Sequence, residues 1–153
     1  MSAKIDYSQQ GMTLIEVLVA LLVLAIGLLG AAALQLNALK YTDSSTMSSQ
    51  ASFVAYDMMD RIRANPDADY RLSSLAAAPA AANLNVPRTQ DLVDFKNNIT
   101  NFAGPTGEGV ITVQNGWVMI SVIWNDARAT NTANAQQTFS VKSRVVADPK
   151  ATP

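Results

Sequence analysis

Apolar and polar positions fall into distinct regimes along this chain. From Val17 to Leu34, 18 residues pass without a charge or a strongly polar side chain; counted from Met12 the run is 23 residues, with Glu16 its one ionisable group. Roughly 20 residues rising about 1.5 Å each cross a hydrocarbon core of about 30 Å, so the pattern predicts a transmembrane helix. A carboxylate inside such a span costs roughly 2.5–3.5 kcal/mol at mid-membrane and less near the interface. Glu16 is therefore either a functional group or a sign that the span is wrongly drawn.

Beyond Leu34 the composition turns polar, yet nothing breaks the helix before Asn65-Pro66, where proline forbids continuation. Met47, Ala51, Val54, Ala55, Met58 and Ile62 form one apolar stripe. Asp43, Ser44, Asp57, Asp60 and Arg61 fall largely off it. Ser44, Ser45, Thr46, Ser48 and Ser49 are weak helix formers, so packing has to hold this part. Residues 12–64 as one helix would extend roughly 80 Å.

Residues 73–87 are rich in Ala and Pro and read as a surface loop with at most a turn of helix. A short helix is expected from Asp91, which can cap it, with Asp94 in the first turn and Leu92, Phe95, Ile99 and Phe102 on one face. Gly104–Gly109 is turn-rich but lacks the order of a phosphate-binding loop. Val110–Gln114 and Trp117–Trp124 flank Asn115-Gly116, the preferred type I′ hairpin turn. That turn sets Gln114 opposite Trp117, Val113 opposite Val118 and Ile111 opposite Ile120. One face then carries Ile111, Val113, Val118, Ile120, Val122 and Trp124 toward the long helix. The other carries Thr112, Gln114, Trp117, Met119, Ser121 and Ile123, apolar enough to call for a cover: the 91–102 helix, a loop or a neighbouring subunit. Asn125–Gln137 reads as a loop, Thr138–Val146 as a half-exposed strand, and Asp148-Pro149 onward as a tail. A long helix on a small antiparallel sheet is an α+β architecture.

Composition removes function classes. With 153 residues there is one domain's worth of chain, and 11 basic against 12 acidic residues give a net charge of −1. That balance does not point to nucleic acid as a partner. The chain has no Cys and no His, which excludes thiol nucleophiles, disulfides, and thiolate or imidazole metal ligands, and removes the commonest general base. No spacing among the remaining Asp, Ser and Lys marks a catalytic site, so a membrane-anchored periplasmic enzyme is the disfavoured class. No cofactor, metal or small-molecule substrate is expected.

Three readings of the N-terminus stand side by side. It is a plain membrane anchor, or a secretory signal peptide ending at Ala31-Ala32-Ala33, although the run exceeds the usual 7–15 residues of such peptides. The third comes from resemblance. Gly11-Met12-Thr13-Leu14-Ile15-Glu16-Val17-Leu18 resembles the class III signal of type IV prepilins. That resemblance implies a leader at residues 1–11, cut between Gly11 and Met12 by an aspartyl prepilin peptidase that also N-methylates Met12. It implies that Glu16 forms a charge pair with the amino terminus of a neighbouring subunit in a filament. It further implies the pilin fold: residues 12–34 as the membrane and assembly half of the helix, 35–65 as its amphipathic half, and 66–153 as the headgroup. Within the headgroup the αβ-loop would take residues 66–109 and the sheet 110–146.

Three segments, Ile15–Gly30, Asp57–Pro66 and Val122–Asp126, are similar to the minor pilins of the type IV pilus modification protein PilV family. The similarity implies a subunit of a tip complex that primes pilus assembly. Its partners would be prepilin peptidase, other minor pilins, the major pilin, the inner-membrane assembly platform and the membrane. Location would be single-pass in the inner membrane with a periplasmic headgroup, then the pilus. A type II secretion pseudopilin of the tip complex is the alternative, because it has nearly the same start. Unlike many pilins the chain has no C-terminal Cys pair, so no disulfide-bounded receptor loop is expected.

Overall fold

The computed structural model describes residues 11–130, 132–133 and 135–145. Of the expected leader, residues 1–11, those from Met1 to Gln10 lie outside them, as do Val146 and the expected tail from Asp148. Among the described residues, three α-helices and three strands follow in the order α1 (Leu14–Ala64), α2 (Pro87–Ala103), β1 (Glu108–Gln114), β2 (Trp117–Asn125), α3 (Ala127–Thr130) and β3 (Gln136–Arg144). The chain divides into two compact units at Leu39–Lys40.

In the first unit α1 is exposed throughout from Leu14 to Leu39, and by length and composition it is able to cross a membrane. In the second unit α1 buries Ala51, Ala55, Met58 and Ile62 of the expected stripe and also Met59, while Met47 and Val54 of that stripe are only partly buried. The hydroxyls of Ser45, Thr46, Ser49 and Ser52 donate to helix carbonyls three or four residues back, at 2.7–3.0 Å. These bonds satisfy polar groups that would otherwise compete with the helix. The helix ends where Pro66 requires it: the Asn65 amide closes onto Arg61 and Ile62 carbonyls, both at 3.2 Å.

The sheet is antiparallel in the order β1-β2-β3. Asn115 (φ 51°) and Gly116 (φ 75°) both sit at positive φ, the requirement of a type I′ turn. The hairpin register follows as expected, with Gln114 facing Trp117, Val113 facing Val118 and Ile111 facing Ile120. Ile111, Val118, Ile120, Val122 and Trp124 are buried in one core with the α1 stripe and with Leu92, Phe95 and Ile99 of α2. Phe139 and Val141 of β3 pack at its margin.

Three local readings need correction. First, α2 begins at Pro87 rather than at Asp91, and Val86 occupies the cap position without a side-chain bond. Proline suits the first helical position, since the amide it lacks would be unpaired there anyway. Asp91 is thus inside the helix, and its carboxylate turns to the core: it accepts from Tyr70 Oη at 2.6 Å and from Arg61 Nη1 at 3.0 Å. Second, the expected loop 125–137 contains the short helix α3. It is tied to α1 by Ser44 Oγ donating to Asp126 Oδ2 at 2.6 Å and by the Arg128–Asp43 ion pair at 3.3 Å. Third, α2 does not cover the outer face of the sheet. A Cβ placed on Gly109, whose register partner is the core-facing Val122, would lie 2.7 Å from Ile99 Cδ1, 2.7 Å from Phe95 Cε1 and 2.9 Å from Leu75 Cδ2. The α2 side chains therefore press on the face that α1 also covers, and Trp117 and Met119 stay exposed on the other.

Gly109 is a close-approach glycine with a measurable consequence. Gly109→Ala should destabilise the headgroup by about 1–3 kcal/mol through overpacking, read as a lower denaturation midpoint at unchanged slope. An unchanged midpoint would mean that three side chains yield at no cost.

Candidate processing and assembly site

The residues singled out by sequence lie together at the start of the described chain. Gly11, Met12 and Thr13 are exposed and precede α1. A peptidase requires an accessible, non-helical segment, because a bond inside a helix is withdrawn into its hydrogen-bonded ladder. A Cβ built on Gly11 would meet nothing within 4 Å.

Glu16 falls in the first turn of α1. Its amide donates to the Thr13 carbonyl at 3.1 Å and approaches Thr13 Oγ1 at 3.4 Å. Thr13 thereby caps the helix start, satisfying an amide that has no partner inside the helix. Sequence reasoning gave Thr13 no role, although the signal was present: Thr13-Leu14-Ile15-Glu16 has the spacing of a capping box. The carboxylate at the positive end of the helix dipole is favourably placed by about 0.3–1 kcal/mol. Glu16 is exposed, and among the described residues no cation pairs with it. Leu14, Ile15 and Leu18 around it are exposed and apolar. A carboxylate, a local cap and an uncovered apolar helix therefore occupy one helix end.

Among the described residues no group of three or more Asp, Glu, His or Cys side chains is placed to hold a metal ion. The Arg61 guanidinium reaches three carboxylates on α1 and α2: Asp57 at 2.9 Å, Asp91 at 3.0 Å and Asp94 at 3.1 Å.

Comparison with known families bears directly on this helix. The prokaryotic N-terminal methylation motif matches residues 7–32. The family described as type IV pilin Tt1218 matches residues 33–90. The chain is thus similar to the methylation motif at its start and to a type IV pilin family over residues 33–90. The first match contains Gly11, Met12 and Glu16, and the second runs from the apolar half of α1 through Tyr70 to the first turn of α2. No curated protein and no solved structure matches the chain at a significant level.

Proposed function

We propose that this chain is a minor subunit of a type IV pilus, of the PilV kind, acting in a tip complex that primes assembly. The observation that carries the reading is that the methylation-motif match and the type IV pilin match meet within one continuous helix. Residues 1–11 are the leader in this reading, removed by prepilin peptidase between Gly11 and Met12. The new amino terminus at Met12 is then N-methylated. Glu16 pairs with the Met12 terminus of a neighbouring subunit, which compensates a carboxylate that would otherwise remain unpaired among apolar helices. The assembly platform, the major pilin and other minor pilins are the partners. The headgroup faces the periplasm until the subunit leaves the membrane for the pilus.

Mass spectrometry of the mature amino terminus is the direct test. N-methyl-Met12 is the expected first residue, whereas a chain starting at Leu34 would mean an ordinary signal peptide and would overturn the proposal. Phenotype separates the two assembly systems. Deletion should abolish twitching and leave exoprotein secretion intact, and the reverse would assign the chain to a type II secretion pseudopilus.

A further inference from the structure

The turn that fixes the β1–β2 register also sets a carboxamide beside an unhindered backbone nitrogen. Of the 11 asparagines in the chain, Asn115 alone precedes a glycine. Both turn residues are exposed, with Asn115 at φ 51° and Gly116 at φ 75°. A type I′ turn asks for this pair because asparagine and glycine tolerate positive φ with least strain. Space does not ask for it: a Cβ on Gly116 would meet the Val145 carbonyl at 3.8 Å, an ordinary contact. Among the described residues no hydrogen bond holds the Asn115 carboxamide or the Gly116 amide. Other asparagine side chains are tied. Asn65 Nδ2 donates to Tyr70 Oη at 3.3 Å, Asn83 Oδ1 accepts from the Asn85 amide at 3.0 Å, and Asn125 Oδ1 accepts from the Ala127 amide at 2.8 Å.

We propose that Asn115 is a site of spontaneous covalent modification, and that its isoaspartyl product releases the end of β3. The Gly116 nitrogen attacks Asn115 Cγ. The N–Cγ bond forms as the Cγ–Nδ2 bond breaks, and ammonia leaves with the proton given up by Gly116. Water then opens the resulting cyclic imide at either carbonyl, leaving aspartate or isoaspartate at residue 115. Glycine selects this position because it has no Cβ to crowd the attacking nitrogen. Every other asparagine precedes a residue with a side chain, and Pro66 after Asn65 has no N–H to give up. Ring closure needs the turn to open transiently, and an exposed hairpin tip opens at low cost.

Both products make the net charge one unit more negative than −1. They differ in the backbone. Aspartate tolerates the same φ and keeps the turn. Isoaspartate routes the main chain through Cβ and Cγ, lengthening a turn whose length sets the register. The Gly116 carbonyl accepts from the Val145 amide at 2.9 Å, one residue past the end of β3 at Arg144. An isoaspartyl turn displaces that acceptor and frees the Val145 amide. The inference concerns the sheet alone and does not rest on the assembly role.

The test keeps the full-length protein in detergent micelles at neutral pH for weeks, with the free peptide Thr112–Met119 as a reference clock. Peptide mapping by mass spectrometry, with fragmentation that separates aspartate from isoaspartate, reads each asparagine. Residue 115 should convert roughly tenfold faster than any other, or more. Part of its product should be isoaspartate, which direct hydrolysis of the side-chain amide does not give. Asn115→Gly, which keeps a turn-compatible pair, should hold the parent melting temperature and yield no acidic product at the turn. Asn115→Asp should keep the parent protection of the Val145 amide, whereas the isolated isoaspartyl form should exchange that amide roughly tenfold faster or more. The inference is overturned by absence of isoaspartate at residue 115 after many half-lives of the peptide, by faster conversion of another asparagine, or by unchanged Val145 exchange in the isoaspartyl form.

Discussion

Glu16→Ala should leave cleavage between Gly11 and Met12 largely intact while removing the protein from sheared filaments. The proposed scissile bond lies four residues before the substitution in an exposed segment outside α1, and Thr13 continues to cap the helix through its backbone and hydroxyl. The direct cost to the helix is limited to the dipole contribution of about 0.3–1 kcal/mol. Assembly is different. Opposite unit charges about 4 Å apart attract by about 4 kcal/mol at an effective dielectric near 20. Loss of even a third of that reduces incorporation by about tenfold. Glu16→Gln, which keeps shape and removes charge, should behave like Glu16→Ala. The measurement is the ratio of protein in sheared pili to protein in membranes, with the mature terminus checked by mass spectrometry. Normal recovery of either variant in pili would sink the charge-pair proposal without touching the processing proposal.

The second large effect belongs to Asp91. Its side chain is mostly buried and holds two groups from separate parts of the chain, Tyr70 Oη at 2.6 Å and Arg61 Nη1 at 3.0 Å. Asp91→Ala should cost about 2–3 kcal/mol, because it strands a hydroxyl on a completely buried tyrosine and one arm of a partly buried guanidinium. Asp57→Ala, which breaks a more exposed bond to the same arginine, should cost roughly 0.5 kcal/mol. Equal effects from the two would remove the distinction between buried and exposed partners. The same cluster predicts behaviour in alkali. Burial, and then the bond to Asp91, push the Tyr70 hydroxyl up to about 12 from an ordinary 10.0. A raised pKa means the folded state holds its proton longer than the unfolded chain does. Stability from this source is therefore complete below about pH 10 and is lost as pH rises through 12, by up to about 2.7 kcal/mol for two units. Tyr70→Phe should flatten the stability curve in that window, and persistence of the loss in the variant would place it elsewhere.

What was legible in the sequence was what depends on neighbours along the chain. Pro66 ends α1 because its ring excludes helix locally, and Asn115-Gly116 sets the β1–β2 register because only a two-residue turn with positive φ joins those strands. The apolar stripe of α1 and the motif from Gly11 to Glu16 are likewise contiguous or periodic, and Thr13 was readable by its spacing from Glu16. Contacts over large separations were not legible. Asp91 looked like a helix cap because a carboxylate before an apolar face fits that role; its actual partners, Tyr70 and Arg61, lie 21 and 30 residues away. Glu108 accepts from the Leu75 and Gly109 amides at 2.5 and 2.9 Å, and Leu72 pairs with Ile111 of β1; neither segment reads as a partner of the other. The outer sheet face shows the same division. Alternation alone placed Trp117 and Met119 on it, but whether anything covers them depends on which side α2 packs. That side is decided by Gly109, which leaves room for Phe95 and Ile99 on the core face. Sequence determined the helix, the hairpin and the processing motif because their causes are local. Only the tertiary structure decided the Asp91 cluster and the open outer face around Trp117, because packing brings together groups that no local rule relates.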